Sequence, residues 1–123
     1  MRSLTATTLL TFALVPPIAA SAQPTTDANV MLVVDASGSM AGRIGGRSKI
    51  EIARAAVSDL LSTWPSSHQL GLVAYGHRRK GDCADIETLV PPGPVDMAAF
   101  RARVDALEPR GMTPIVAAVR SAA

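Results

Sequence analysis

Apolar and polar positions along this 123-residue chain follow two different periods, and the places where one gives way to the other mark out its elements. Val30-Met31-Leu32-Val33-Val34 is an unbroken apolar run. That is the pattern of a central parallel strand covered on both faces, so a strand is predicted over Asn29–Val34. Further on, Ala53, Ala56, Val57, Leu60 and Leu61 recur at helical spacing, which predicts an amphipathic helix with those residues on its inward stripe. Ser48-Lys49-Ile50-Glu51 in front of it reads as a capping box, in which the Ser48 hydroxyl serves the Glu51 amide and the Glu51 side chain reaches back. Trp64-Pro65 ends the helix. Gln69–Tyr75 is a second apolar strand, reached by a right-handed crossover if the sheet is parallel. Ile86–Val90 contains Glu87 and Thr88 and reads as a short edge strand.

The connecting segments carry their own signals. Gly42–Arg47 is predicted to be a Gly/Arg loop, Gly76–Asp85 a polar loop, and Pro91-Pro92-Gly93-Pro94 a stiff connector. Asp96 is a plausible N-cap for a helix that turns Met97, Phe100, Val104 and Leu107 inward, closed by Pro109, Arg110 and Gly111. Thr113-Pro114 then reads as an N-cap followed by proline at the first helical position, opening a last helix at Ile115. The predicted order, β-α-β-β-α-α, is the N-terminal part of a doubly wound, mostly parallel open α/β sheet with helices on both faces.

The first residues stand apart from this fold. Met1-Arg2-Ser3 is a short positive start, Leu4–Val15 is mostly apolar and uncharged, and Ala20-Ser21-Ala22 has the small-x-small form of a signal-peptidase site. The apolar stretch is shorter than the about 20 residues of a membrane span. Residues 1–22 are therefore expected to be a signal peptide cleaved after Ala22, residues 23–28 a flexible lead-in, and residues 29–123 one small domain. Export to the periplasm or the medium follows, without stable membrane insertion after cleavage. The chain has 12 basic and 10 acidic residues, a balance that gives no reason to expect nucleic acid as a partner. Trp64, Tyr75 and two phenylalanines are too few and scattered for a base-stacking platform. Cys83 is alone, so its partner is expected beyond position 123, or else it is a free buried thiol.

The densest chemistry follows the first strand. Asp35-Ala36-Ser37-Gly38-Ser39-Met40 places one carboxylate and two hydroxyls at alternate positions, with small spacers that permit a tight curl. An all-oxygen cluster of this kind suits a hard cation such as Mg²⁺, with Mn²⁺ or Ca²⁺ as alternatives. Only one of the three groups is charged, so the ion would stay under-neutralised and able to accept a carboxylate from a partner.

With the strand before that motif, the Gln69–Gly76 segment and the Gly111-Met112-Thr113-Pro114 turn, the chain resembles the von Willebrand factor A-type domain from Asn29 to Ala123, in particular its bacterial exported versions. The resemblance implies an open α/β sheet with a metal-ion-dependent adhesion site at the carboxyl ends of the strands, where such sheets generally bind ligands. It assigns Asp35, Ser37 and Ser39 to the first motif of that site and Thr113 to the second. It also implies direct ligation by the serine hydroxyls, an acidic side chain of a protein partner completing the shell, and no enzymatic activity. The family's third motif, an aspartate after the fourth strand, has no counterpart before Ala123. The domain is accordingly expected to be incomplete at its C-terminus and to self-associate through an open sheet edge.

Two enzymatic readings compete. A metal-assisted hydrolase would need a base near Ser37 or Ser39; there is no G-x-S-x-G elbow, and His68 and His77 are the only histidines. Gly42–Ser48 has the position of a phosphate loop, but it is one residue short and has Arg47 where lysine belongs. A truncated remnant without activity is the remaining alternative.

Overall fold

The computed structural model describes residues 27–123; the expected signal peptide and most of the lead-in lie outside the described residues. Strand β1 (Asn29–Asp35) pairs in parallel with β4 (Gln69–Tyr75), from Asn29 opposite Gln69 to Asp35 opposite Tyr75. Strand β5 (Ile86–Val90) runs antiparallel to β4, with a bulge between Leu72 and Val73, and forms the edge expected of it. The order of this three-stranded sheet is β1-β4-β5.

Between β1 and β4 lies the helix that makes the crossover, α1 (Lys49–Ser62). The expected capping box is present: Ser48 Oγ accepts from the Glu51 amide at 3.3 Å, and the Ser48 amide donates to Glu51 Oε2 at 2.6 Å. These Ser48 hydrogen bonds hold the Glu51 carboxyl below its ordinary range. The inward stripe differs from the expected one. Ile50, Val57 and Leu61 are buried, whereas Ala56 and Leu60 face solvent. An alanine-rich helix defines its own rotation weakly, and here packing and the bond from Arg54 Nη2 to the Leu107 carbonyl (2.6 Å) set it.

Helix α2 (Met97–Asp105) begins at Asp96, whose carboxylate accepts from the Ala99 amide at 3.0 Å. Phe100 and Val104 from α2, and Leu107 just beyond it, join Ile50, Val57 and Leu61 over the even-numbered face of the strands, where Val34, Leu70, Leu72 and Ala74 are buried. Strand residues alternate faces, so Val73 and Tyr75 point the other way, towards α3 (Ile115–Ala122). Ala118 is the fully buried residue of α3, while Ile115, Val116 and Val119 are exposed.

Two connections depart from expectation. The Gly42–Arg47 segment is a small hairpin rather than a plain loop: β2 (Arg43–Ile44) pairs antiparallel with β3 (Arg47–Ser48). Gly45 and Gly46, with φ of 57° and 83°, supply the two positive dihedrals that a tight two-residue hairpin turn requires. Thr113 does not cap α3. The capping position is Pro114 (φ −80°, ψ 55°), and the Ile115 amide bonds the Thr113 carbonyl at 2.9 Å. The proline thus closes a three-residue turn before the helix, which leaves the Thr113 hydroxyl uncommitted to α3.

Leu72 is fully buried in the central strand. Leu72→Ala is expected to destabilise the chain by about 2–5 kcal/mol, read as a lower urea midpoint with an unchanged slope. Beyond β4, β1 has no neighbour among the described residues, and an apolar unpaired edge invites pairing. Sedimentation of the chain by itself is expected to show concentration-dependent association; a monomer at every concentration would contradict it.

Candidate functional site

At the carboxyl end of β1 the chain turns sharply and is held by main-chain bonds. The Ala36 amide donates to the Tyr75 carbonyl at 3.0 Å, continuing the parallel pairing one step beyond the strand. The Ser37 amide then folds back to Asp35 Oδ1 at 2.7 Å, a side-chain turn of the kind aspartate favours. A 3₁₀ turn over Gly38–Ala41 follows, with the Met40 amide on the Ser37 carbonyl at 2.9 Å. Ser37 Oγ and Ser39 Oγ lie 3.2 Å apart; Ser37 is almost wholly buried and Ser39 is exposed. The expected Asp35, Ser37 and Ser39 are therefore gathered in one turn.

Thr113 is reached through a second segment. Gly111 forms an isolated parallel bridge with Ser37, and the Gly38 amide donates to the Gly111 carbonyl at 2.9 Å. The amides of Arg110 and Gly111 both donate to the Gly76 carbonyl, at 3.1 and 2.7 Å. Thr113 stands two residues past this junction, exposed to solvent. Gly76 is required here on two counts. Its φ is +71°, and a Cβ would lie 2.6 Å from the Met112 carbonyl and 2.8 Å from Ser37 Cα. A Cβ on Gly111 would likewise strike the Arg79 carbonyl.

Two residues that sequence reasoning passed over shape this end of the sheet. The Tyr75 phenol is pushed up to about 12, first by burial, then by the charge of Asp35 and a hydrogen bond to it. It stays a neutral donor beside that carboxylate. Its register opposite Asp35 was the available signal, given the parallel pairing. Asp85 is fully buried. It accepts from the amides of Arg78 (2.7 Å) and Arg79 (2.9 Å) and from Arg78 Nε (2.6 Å), while its own carbonyl takes the Gly76 amide at 2.9 Å. Burial alone would raise the Asp85 carboxyl; the Arg79 amide and the Arg78 side chain and amide outweigh it and hold the group at about 2. No local pattern in the polar loop singles out Asp85 from Asp82.

The histidines are engaged elsewhere. His77 Nε2 pairs with Glu87 Oε2 at 2.9 Å, and His68 Nδ1 with Ser67 Oγ at 3.0 Å. Cys83 is exposed rather than buried, which corrects the buried-thiol alternative. No group of three or more His, Cys, Asp or Glu side chains able to hold a metal forms among the described residues. The oxygen donors of the Ser37 turn are one carboxylate and hydroxyls.

A mixed sheet whose parallel pair β1–β4 ends in such a turn, with helices on both faces, defines an α/β domain. The profile described as von Willebrand factor type A domain matches residues 30–123, and the chain belongs to that family, whose domains commonly mediate protein–protein interaction. It is similar to the uncharacterized protein YwmD of Bacillus subtilis, 32% identical over 118 residues, covering 90% of this chain and 52% of that one. It is also similar to the uncharacterized protein YwmC of the same organism, 31% identical, covering 98% and 58% respectively. The chain thus spans about half the length of the curated relatives it matches. Among solved structures, an uncharacterized membrane spanning protein from Vibrio fischeri superposes with a TM-score of 0.59 at 25% identity, over 76% of this chain and 46% of that one.

The depressed Asp85 carboxyl makes stability depend on pH with a definite sign. Its folded value of about 2 lies below the ordinary 3.8, so its contribution is complete above that ordinary value and is lost as the pH falls towards 2. Urea titrations are expected to show a loss on the order of 2 kcal/mol across that window. In Asp85→Asn the chain should be weaker at neutral pH, with this part of the acid slope gone.

Proposed function

We propose that this chain is an exported, non-enzymatic binding module, periplasmic or secreted, that uses Mg²⁺ to grip an acidic group on a protein partner. Asp35, Ser37, Ser39 and Thr113 are the residues that would hold the ion. The observation that carries this reading is the Ser37 Oγ to Ser39 Oγ separation of 3.2 Å in the same turn as the Asp35 carboxylate. Neighbouring ligands of an octahedral ion bonded at 2.0–2.1 Å lie about 2.9 Å apart, so the two hydroxyls need to close by only a few tenths of an ångström. The donors are also hard, as Mg²⁺ prefers.

Each residue has a distinct part. Asp35 supplies the negative charge, and its orientation is set by the Ser37 amide. Ser37 presents its hydroxyl from an otherwise buried position, and Ser39 from the exposed side of the turn. Thr113, two residues past the Gly111 bridge and without a capping role in α3, would come from that segment. When bound, the ion would supply a positive centre incompletely neutralised by one carboxylate, which favours capture of a further carboxylate.

A hydrolytic reading needs a base on Ser37 or Ser39; the histidines are paired instead with Ser67 and Glu87, which supports the binding reading. Titration calorimetry with Mg²⁺ is expected to show binding that weakens by at least about tenfold in Ser37→Ala, about 1.4 kcal/mol. Turnover of an ester or anhydride substrate that is lost in Ser37→Ala would instead establish the hydrolase. Absence of both binding and turnover would mark an inactive remnant.

A further inference from the structure

The junction that ties Arg110 to the Ser37 turn also presents a basic cleft that ion binding does not use. The Arg110 amide reaches the Ala36 carbonyl, one residue before Ser37, at 3.3 Å, as well as that of Gly76 at 3.1 Å. Arg110 also lines a neighbouring cleft of about 440 Å³, together with Arg78, Lys80 and Pro109. Its lining is cationic apart from the proline and includes no acid, on a chain whose net charge is only +2.

The acids that hold these cations lie outside the cleft lining. Arg78 Nε is fixed by the buried Asp85 at 2.6 Å, and its Nη1 lies 3.4 Å from Glu87. Arg110 pairs with Glu108, and the neighbouring Arg79 with Asp82 at 3.1 Å. Lys80 makes no ion pair among the described residues. Both guanidinium groups are already engaged, Arg78 with Asp85, Glu87 and the Ile86 carbonyl and Arg110 through Nε and Nη2 with Glu108. They hold positive charge at the cleft in fixed positions, while the Lys80 ammonium is its uncompensated cation.

We propose that this cleft receives a second carboxylate of the same partner, so that the module selects segments with clustered acidic residues over a lone acidic side chain. The inference rests on the ion-dependent capture proposed above. The short tie between Arg110 and the Ser37 turn favours a polypeptide as the source of both carboxylates. Alternate side chains of an extended segment lie on one face about 6.6 Å apart, so a run of acids offers carboxylates at that spacing to the turn and the cleft.

The test compares two fluorescent peptides, one with a single glutamate in a Gly/Ser background and one with a run of glutamates. Anisotropy is read with the full chain, in Mg²⁺ and in chelator. The run is expected to bind about tenfold tighter in Mg²⁺, as a few exposed charge pairs supply, and the preference should shrink as salt rises. Lys80→Glu is expected to reduce that ratio to within about twofold, with Lys80→Gln intermediate. Both substitutions fall on one exposed loop residue, and thermal melts confirm folding of each variant. Equal affinity for the two peptides, or a ratio unchanged in both variants, overturns the cleft's role while leaving ion-dependent capture intact. Binding of the single-glutamate peptide that is indifferent to chelator overturns the capture reading instead. Failure of both peptides to bind overturns both.

Discussion

The close approach of main chain at Gly76 is the constraint on which the site end of this domain depends. Three segments distant in sequence meet there: the turn after β1, the first residue after β4, and the Arg110–Gly111 pair. The bonds between the three segments are main chain to main chain. Amide and carbonyl groups satisfy one another directly, and the absence of a Cβ at Gly76 and Gly111 is what lets them come within bonding distance. Any larger residue at Gly76 would face both an unfavourable φ and a carbonyl at sub-contact distance, so the three strands of connection would separate.

Charge enters this arrangement at one remove. Asp85 touches neither the serines nor Thr113, yet its hydrogen bonds hold the loop that begins at Gly76. A buried carboxylate is costly unless its lone pairs are filled, and here amides and a guanidinium fill them. The same bonds aim Arg78 outward, linking the interior order of the loop to the charge displayed at the surface.

Much of the fold was legible in the sequence because its strands are short, apolar and sharply bounded. Gln69–Tyr75 and Ile86–Val90 have the expected limits, and β1 gains only Asp35. The Ser48–Glu51 and Asp96 caps were legible too, since each is a local pattern with a local physical cause. What escaped is non-local. The rotation of α1 is settled by the sheet and by Arg54 reaching Leu107, and an alanine-rich stripe does not encode it. The Gly45-Gly46 hairpin was written in a dipeptide that reads equally as loop. In the candidate site, the clustering of Asp35, Ser37 and Ser39 follows from their spacing. The parts played by Tyr75 and Asp85 depend on pairing register and on loop closure, which a linear pattern does not reveal.

The burial of Ser37 has a consequence for how this turn can meet a ligand. With its amide bonded to Asp35, its carbonyl to Met40 and its segment bridged to Gly111, Ser37 has little conformational freedom left to lose. The entropy of ordering is surrendered when the chain folds rather than when something binds. Association at this turn is then governed by desolvation and donor chemistry, and differences between ligands should be expressed mainly in how slowly they leave.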